Sequence, residues 1–87
     1  MIFTAYHGGI MIAENRFIYK IELSSASAIF DFVKSANKLS YDVMLVNGKH
    51  KLNAKSYLGV LLAKVSWDEI YIESDTDCYF DFEKYIV

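Results

Sequence analysis

Between Arg16 and Leu39 the hydrophobic period of the chain changes once, and that change restricts the fold more than any other feature. From Arg16 to Leu23 apolar and polar residues alternate, with Phe17, Tyr19, Ile21 and Leu23 on one face and Arg16, Lys20 and Glu22, joined by Ile18, on the other. A period of two is that of a half-buried strand. Ser24-Ser25-Ala26-Ser27 follows as a short link rich in oxygens that can cap a helix. Ile29, Phe32, Val33, Ala36 and Leu39 then recur at the three- and four-residue spacing of a helix with one buried face. Each element has one apolar side, so a layer of helix on sheet is the expected outcome.

The same two periods repeat downstream. Tyr41, Val43 and Leu45 alternate, Asn47-Gly48 supplies residues that tolerate the left-handed backbone of a tight hairpin turn, and Lys49 to Asn53 reads as the return strand. Leu58, Leu61, Leu62 and Val65 fit the buried stripe of a second helix, with Ser56 placed to accept a backbone N–H at its start. Trp67 to Glu73 reads as a fourth strand, Ile70 and Ile72 on one face and Glu69, Tyr71 and Glu73 on the other. Ser74, Asp75, Thr76 and Asp77 offer capping oxygens and negative charge to a last helix whose apolar stripe is Tyr79, Phe82, Tyr85 and Ile86. The order β-α-β-β-α-β-α predicts an α+β fold, an open-faced sandwich in which helices cover one face of a four-stranded antiparallel sheet and leave the other partly exposed. Residues 1–15 stand outside this pattern as an N-terminal extension. Met1 to Tyr6 and Ile10 to Ala13 are strand-like around His7-Gly8-Gly9 and predict an extra strand or hairpin on a sheet edge, a place where two copies would associate. Residues 16–87 make the domain proper.

With 54% hydrophobic residues, a chain of 87 has the apolar material for one core without staples. Its single cysteine leaves no internal disulfide and no Cys/His group has zinc spacing. The start lacks a basic stretch followed by an apolar segment and a small-residue cleavage site, so the cytoplasm is the expected compartment. The longest apolar runs, around Ile10 to Ala13 and Leu58 to Ala63, fall far short of the ~20 residues that cross a bilayer, and no membrane association is expected. A net charge of −2 argues against nucleic acid as a partner. The charge is uneven: residues 1–67 hold eight of the nine Lys and Arg and four of the eleven Asp and Glu, while residues 68–87 hold one and seven. That polarity reads either as a solvated acidic last helix or as a basic part that faces an acidic partner.

Two segments and the element order together resemble a known family. They are Phe32-Val33-Lys34-Ser35-Ala36-Asn37, continuing to Asp42-Val43, and Asn53-Ala54-Lys55-Ser56-Tyr57-Leu58-Gly59. Over about Phe17 to Val87 the chain resembles HPr, the small phosphocarrier family of the bacterial sugar phosphotransferase system, and the resemblance implies the HPr-like fold. In that family the link between first strand and first helix carries a glycine, the phosphorylated histidine, an arginine and a proline. Leu23, Ser25, Ser27 and Ala28 stand at those places here. An imidazole nitrogen holds a labile phosphoryl group, whereas a serine ester is too stable to pass it on. His7 and His50 lie outside the link, and the only arginine, Arg16, lies at the far end of the first strand. The chain therefore reads as a degenerate member without catalytic residues, not an enzyme, with no cofactor or metal.

The second segment implies that Ser56 occupies the family's regulatory site, the target of HPr kinase, and that Tyr57, Leu58 and Leu61 belong to its partner-binding patch on helix two. Ser56 reads equally as a plain N-cap; Leu58 and Leu61 also fit the core, Tyr57 alone being expected at the surface. Ser24, Ser25 and Ser27 could cradle an anion at the start of helix one, or simply cap it. Cys78 has no basic neighbour and is expected to be buried and inert, and His50, between Lys49 and Lys51, to be a surface residue. Asp68 with Glu69 reads as a solvated face and Asp75 with Asp77 as a helix cap, neither as an acid/base pair. The function expected is a cytoplasmic regulatory or protein-binding module related to the phosphotransferase system. The alternatives are an atypical phosphocarrier and a structural or interaction protein that keeps only the fold and forms a homodimer through the N-terminal segment.

Overall fold

The computed structural model describes residues 4–7, 10–13 and 16–87. Strands β1 (Thr4–His7), β2 (Ile10–Ala13) and β3 (Arg16–Ile21) lead into helix α1 (Ala26–Asn37). The hairpin β4 (Met44–Asn47) and β5 (His50–Asn53), helix α2 (Tyr57–Ser66), strand β6 (Ile70–Ser74) and a single turn α3 (Tyr79–Phe82) complete the order, with a 3₁₀ turn over Glu83–Tyr85. The fold is α+β: β3, β6, β4 and β5 form an antiparallel sheet in that spatial order, and β2 and then β1 continue it beyond β3.

Cross-strand register explains why the helices lie on one side. Tyr19 pairs with Ile72, Ile72 with Leu45, and Leu45 with Leu52, so one apolar row crosses four strands. Paired residues share a face, and this row, with Ile21 and Ile70, meets Ile29, Phe32, Val33 and Ala36 of α1 and Val60 and Ala63 of α2 in one core. Phe32 lies at its centre, its ring 5.0 Å from Phe82 and 5.5 Å from Tyr85.

The opposite face is partly exposed. Glu73 is the exception: its alternation points it away from the core, yet its side chain is only 11% exposed, because Arg16 Nη1 and Lys51 Nζ each donate to Oε1 at 3.0 Å. Neither cation is its neighbour in sequence.

Three local expectations are corrected. The hairpin turn is Gly48-Lys49, one residue later than Asn47-Gly48: Asn47 pairs with His50 as the last residue of β4, and Gly48 takes the left-handed backbone at φ 59°. Asn47 stays in the strand because its amide donates to the Glu69 carbonyl at 2.8 Å. The last helix is also far shorter than its stripe suggests. Tyr79, Phe82 and Tyr85 are three apart, a spacing that a 3₁₀ turn aligns, and the chain then extends, so that Ile86 bridges Ile21. Beyond the end of β2, the backbone of β3 needs partners; Glu22 N–H donates to the Tyr85 carbonyl at 2.8 Å and Val87 N–H to that of Lys20 at 3.1 Å. Finally, the stripe Leu58, Leu61, Leu62 and Val65 does not face the core. The buried residues of α2 are Val60 and Ala63.

Among the described residues no helix is long and apolar enough to cross a membrane.

Candidate functional site

The site is built from the loop that enters α2. Asn53 Oδ1 accepts from Lys55 N–H at 2.9 Å and the Asn53 carbonyl from Ser56 N–H at 3.0 Å, which turns the chain sharply after β5. Ala54, fully buried, donates its N–H to the Val43 carbonyl and pins the loop to the core. Ser56 is exposed, and its hydroxyl accepts from Gly59 N–H at 3.1 Å as the N-cap of α2. A Cβ on Gly59 would lie 3.3 Å from that hydroxyl oxygen, so the close approach suits glycine. The loop is also tied to α1: Asn37 Nδ2 donates to the carbonyls of Val33 (2.8 Å) and Lys55 (2.9 Å), and Lys55 Nζ donates to that of Leu39.

These ties set the two helices side by side and leave an apolar surface facing out. Leu58 is 75% exposed, Leu62 55% and Val65 74%; Tyr57 and Leu61 are also exposed, and Phe30 of α1 joins them, its ring 6.5 Å from that of Tyr57. Of the family-implied patch, Tyr57, Leu58 and Leu61 are thus all at the surface, and the core alternative for Leu58 and Leu61 is overturned. The reason is the composition of α2: Tyr57–Ser66 holds one charged residue, Lys64, so both sides of the helix are apolar, and the side with small residues packs inward. The rim is basic. Lys34 follows Phe30 by one turn, Lys64 follows Leu61 by one turn, and no acid lies in α2. Sequence reasoning missed Phe30, which is off the buried stripe of α1; that displacement was the available signal.

The other candidates are placed as follows. Ser25 is the N-cap of α1, its hydroxyl accepting from Ala28 N–H at 3.1 Å. Ser24, Ser25 and Ser27 line a cleft of about 260 Å³, but so do Glu22 and Asp31 against one cation, Lys84. Two carboxylates facing one ammonium give the wrong sign for a phosphate cradle. Cys78 is fully buried, and burial, reinforced by the Asp77 carboxylate, pushes its thiol up to about 12. His50 is exposed, its ring 6.3 Å from that of Trp67; the side chain of His7 lies outside the described residues. The paired acids are engaged separately: Asp68 accepts from Asn47, Glu69 pairs with Lys20, Asp75 with Arg16, and Asp77 accepts from the Tyr19 hydroxyl and from Tyr79 N–H. Among the described residues no three His, Cys, Asp or Glu side chains gather into a group able to hold a metal ion. No family model, curated protein or solved structure matches the chain.

Proposed function

We propose that this protein is a non-enzymatic, HPr-like binding module of the bacterial cytoplasm, which docks a protein partner through α2 and is regulated by phosphorylation of Ser56. The observation that carries the reading is the outward apolar face of Tyr57, Leu58, Leu61, Leu62 and Val65 with Phe30, a contiguous patch of a kind that monomeric proteins seldom leave to water. Its basic rim selects an acidic partner. Ser56 sits at one end of this face, at a helix start where a phosphate would meet the N–H groups of the first turn and the positive end of the helix dipole. A phosphate there would also reverse the sign of charge beside the patch, which gives the modification a way to switch binding. The element order over residues 16–87 and the segment Asn53 to Gly59 support the family reading. A phosphocarrier role has less support, since Ser25 caps α1 and the adjoining cleft is lined by more carboxylates than cations.

The test is the intact mass after incubation with HPr kinase and ATP. A gain of one phosphate, absent from Ser56→Ala and slowed in Leu58→Ser, supports both the site and the docking face. No gain, with the same kinase active on an ordinary HPr, overturns the regulatory reading and leaves a module that keeps only the fold.

A further inference from the structure

Where β3 runs on toward α1 and α2 turns into β6, the chain forms a pocket of about 170 Å³. Its apolar lining is Ile21, Leu23 and Ile70, all buried residues of the core, and Trp67, half-buried at the end of α2. The charged side chains that line it are of both signs. Lys20 Nζ donates to Glu69 at 2.9 Å, and the two charges of that pair offset each other. Asp68 accepts from the Asn47 amide at 3.3 Å and keeps its charge. Lys64 and Glu22 are exposed, and among the described residues neither joins an ion pair. One ammonium and two carboxylates thus share the mouth of an apolar pocket.

One kind of occupant suits all of these features. A simple anion would meet Glu22 and Asp68, and a simple amine would meet Lys64, whereas a zwitterion can set its carboxylate toward Lys64 and its ammonium toward the acids. The volume is below the ~300–1,000 Å³ of sites for drug-sized ligands, which leaves room for a molecule of amino-acid size. A residue within a peptide carries neither backbone charge, so the match is to a free amino acid. We propose that this pocket binds a free α-amino acid with an aliphatic side chain, the side chain against Ile21, Leu23, Ile70 and Trp67 and the charged groups between Lys64 and the carboxylates of Glu22 and Asp68. The pocket lies at the opposite end of α2 from Ser56, and amino-acid binding there does not depend on the docking role of the outer face.

Trp67 is the only tryptophan in the chain, so its fluorescence reports on the pocket. Titration of the full chain with L-leucine should give a saturable change with a Kd in the millimolar range, as befits so small a ligand, and the amide NMR shifts it causes should centre on Ile21 to Leu23 and Trp67 to Ile70. Leucinamide, which lacks the carboxylate, and isocaproate, which lacks the ammonium, should each bind about three- to fivefold more weakly. Lys64→Gln should weaken leucine but not leucinamide, and Glu22→Gln should weaken leucine but not isocaproate, each with an unchanged circular dichroism spectrum. The absence of a saturable change up to about 50 mM leucine overturns the proposal. So does equal binding of leucine and either singly charged analogue, or a set of shifts that centres on the outer face of α2.

Discussion

Truncating α2 on its two sides should give opposite results from those its leucine stripe predicts. Leu58→Ala removes three carbons, but Leu58 is 75% exposed, so only about a quarter of its transfer energy is at stake. At roughly 0.8 kcal/mol per buried carbon this comes to about 0.6 kcal/mol, reduced a little by the better helix propensity of alanine. Val60→Ala removes two carbons from a fully buried site. The transfer loss is about 1.6 kcal/mol, a residual cavity adds to it, and helix propensity returns about 0.5 kcal/mol, for a net cost of about 2 kcal/mol. Urea unfolding followed by Trp67 fluorescence measures both. With a slope of about 1 kcal/mol/M, the midpoint should drop by about 2 M for Val60→Ala and by less than about 0.5 M for Leu58→Ala, with unchanged slopes. A core Leu58 would instead cost about 2–5 kcal/mol. That result, with a mild Val60→Ala, would mean that α2 is rotated and that the docking face does not exist.

Ser56→Ala should cost about 1 kcal/mol in the same assay, while Ser56→Asp, which caps equally well and places its charge at the favourable end of the helix, should stay near wild type. Gly48→Ala forces a Cβ into left-handed backbone and should cost about 1 kcal/mol, with Gly48→Asn milder. Glu73→Gln leaves Arg16 and Lys51 facing a neutral amide and should cost about 2 kcal/mol, between the values for exposed and buried ion pairs, because both cations remain near half exposed. Alkaline pH should unfold the chain. Burial, with the hydrogen bonds to Asp77 and Asp81, raises the Tyr19 and Tyr41 hydroxyls above the ordinary tyrosine value, and burial raises Cys78 from 9.0 to about 12. The folded state thus favours the protonated, neutral forms, and their contribution is intact below about pH 9 and is lost as pH climbs toward 12. Urea midpoints across that range should fall, and less steeply in Tyr19→Phe measured against its own neutral value.

How much of this was legible in the sequence depends on how many solutions each pattern allowed. Strand β3 and helix α1 each have one dominant apolar face, with only Ile18 and Phe30 off it, and Tyr19, Ile29, Phe32 and Ala36 are buried as their spacing requires. Helix α2 has two. Leu58-Leu61-Leu62-Val65 and Val60-Ala63 both fit helical spacing, and size decides between them, since small residues allow α2 to sit close to the layer beneath. Periodicity counts apolar positions without weighing their bulk, so it selected the leucines. The C-terminal segment fails differently: Tyr79, Phe82 and Tyr85 fit both an α-helix and a 3₁₀ turn, and what selects the latter is the unpaired backbone of β3 at Lys20 and Glu22. No local pattern records a neighbour that is some sixty residues away along the chain.

The charge polarity of the sequence shows the same limit, and its resolution bears on partner choice. Residues 68–87 look like an acidic surface that could meet the basic part of a second copy. In the fold, however, Glu69 is paired with Lys20, Glu73 with Arg16 and Lys51, and Asp75 with Arg16, while Asp77 and Asp81 accept from the Tyr19 and Tyr41 hydroxyls. Three of the seven acids, Glu69, Glu73 and Asp75, are thus ion-paired with strand cations, while Asp77 and Asp81 keep their charge against neutral hydroxyls. Among the described residues, Lys34 and Lys64 on the helical side form no ion pair, and neither do Lys38, Lys49, Lys55 and Lys84. On the proposed reading, the lysines beside the exposed leucines favour an acidic partner for that face, and neutralising Lys34 and Lys64 should weaken binding more at low salt than at high salt.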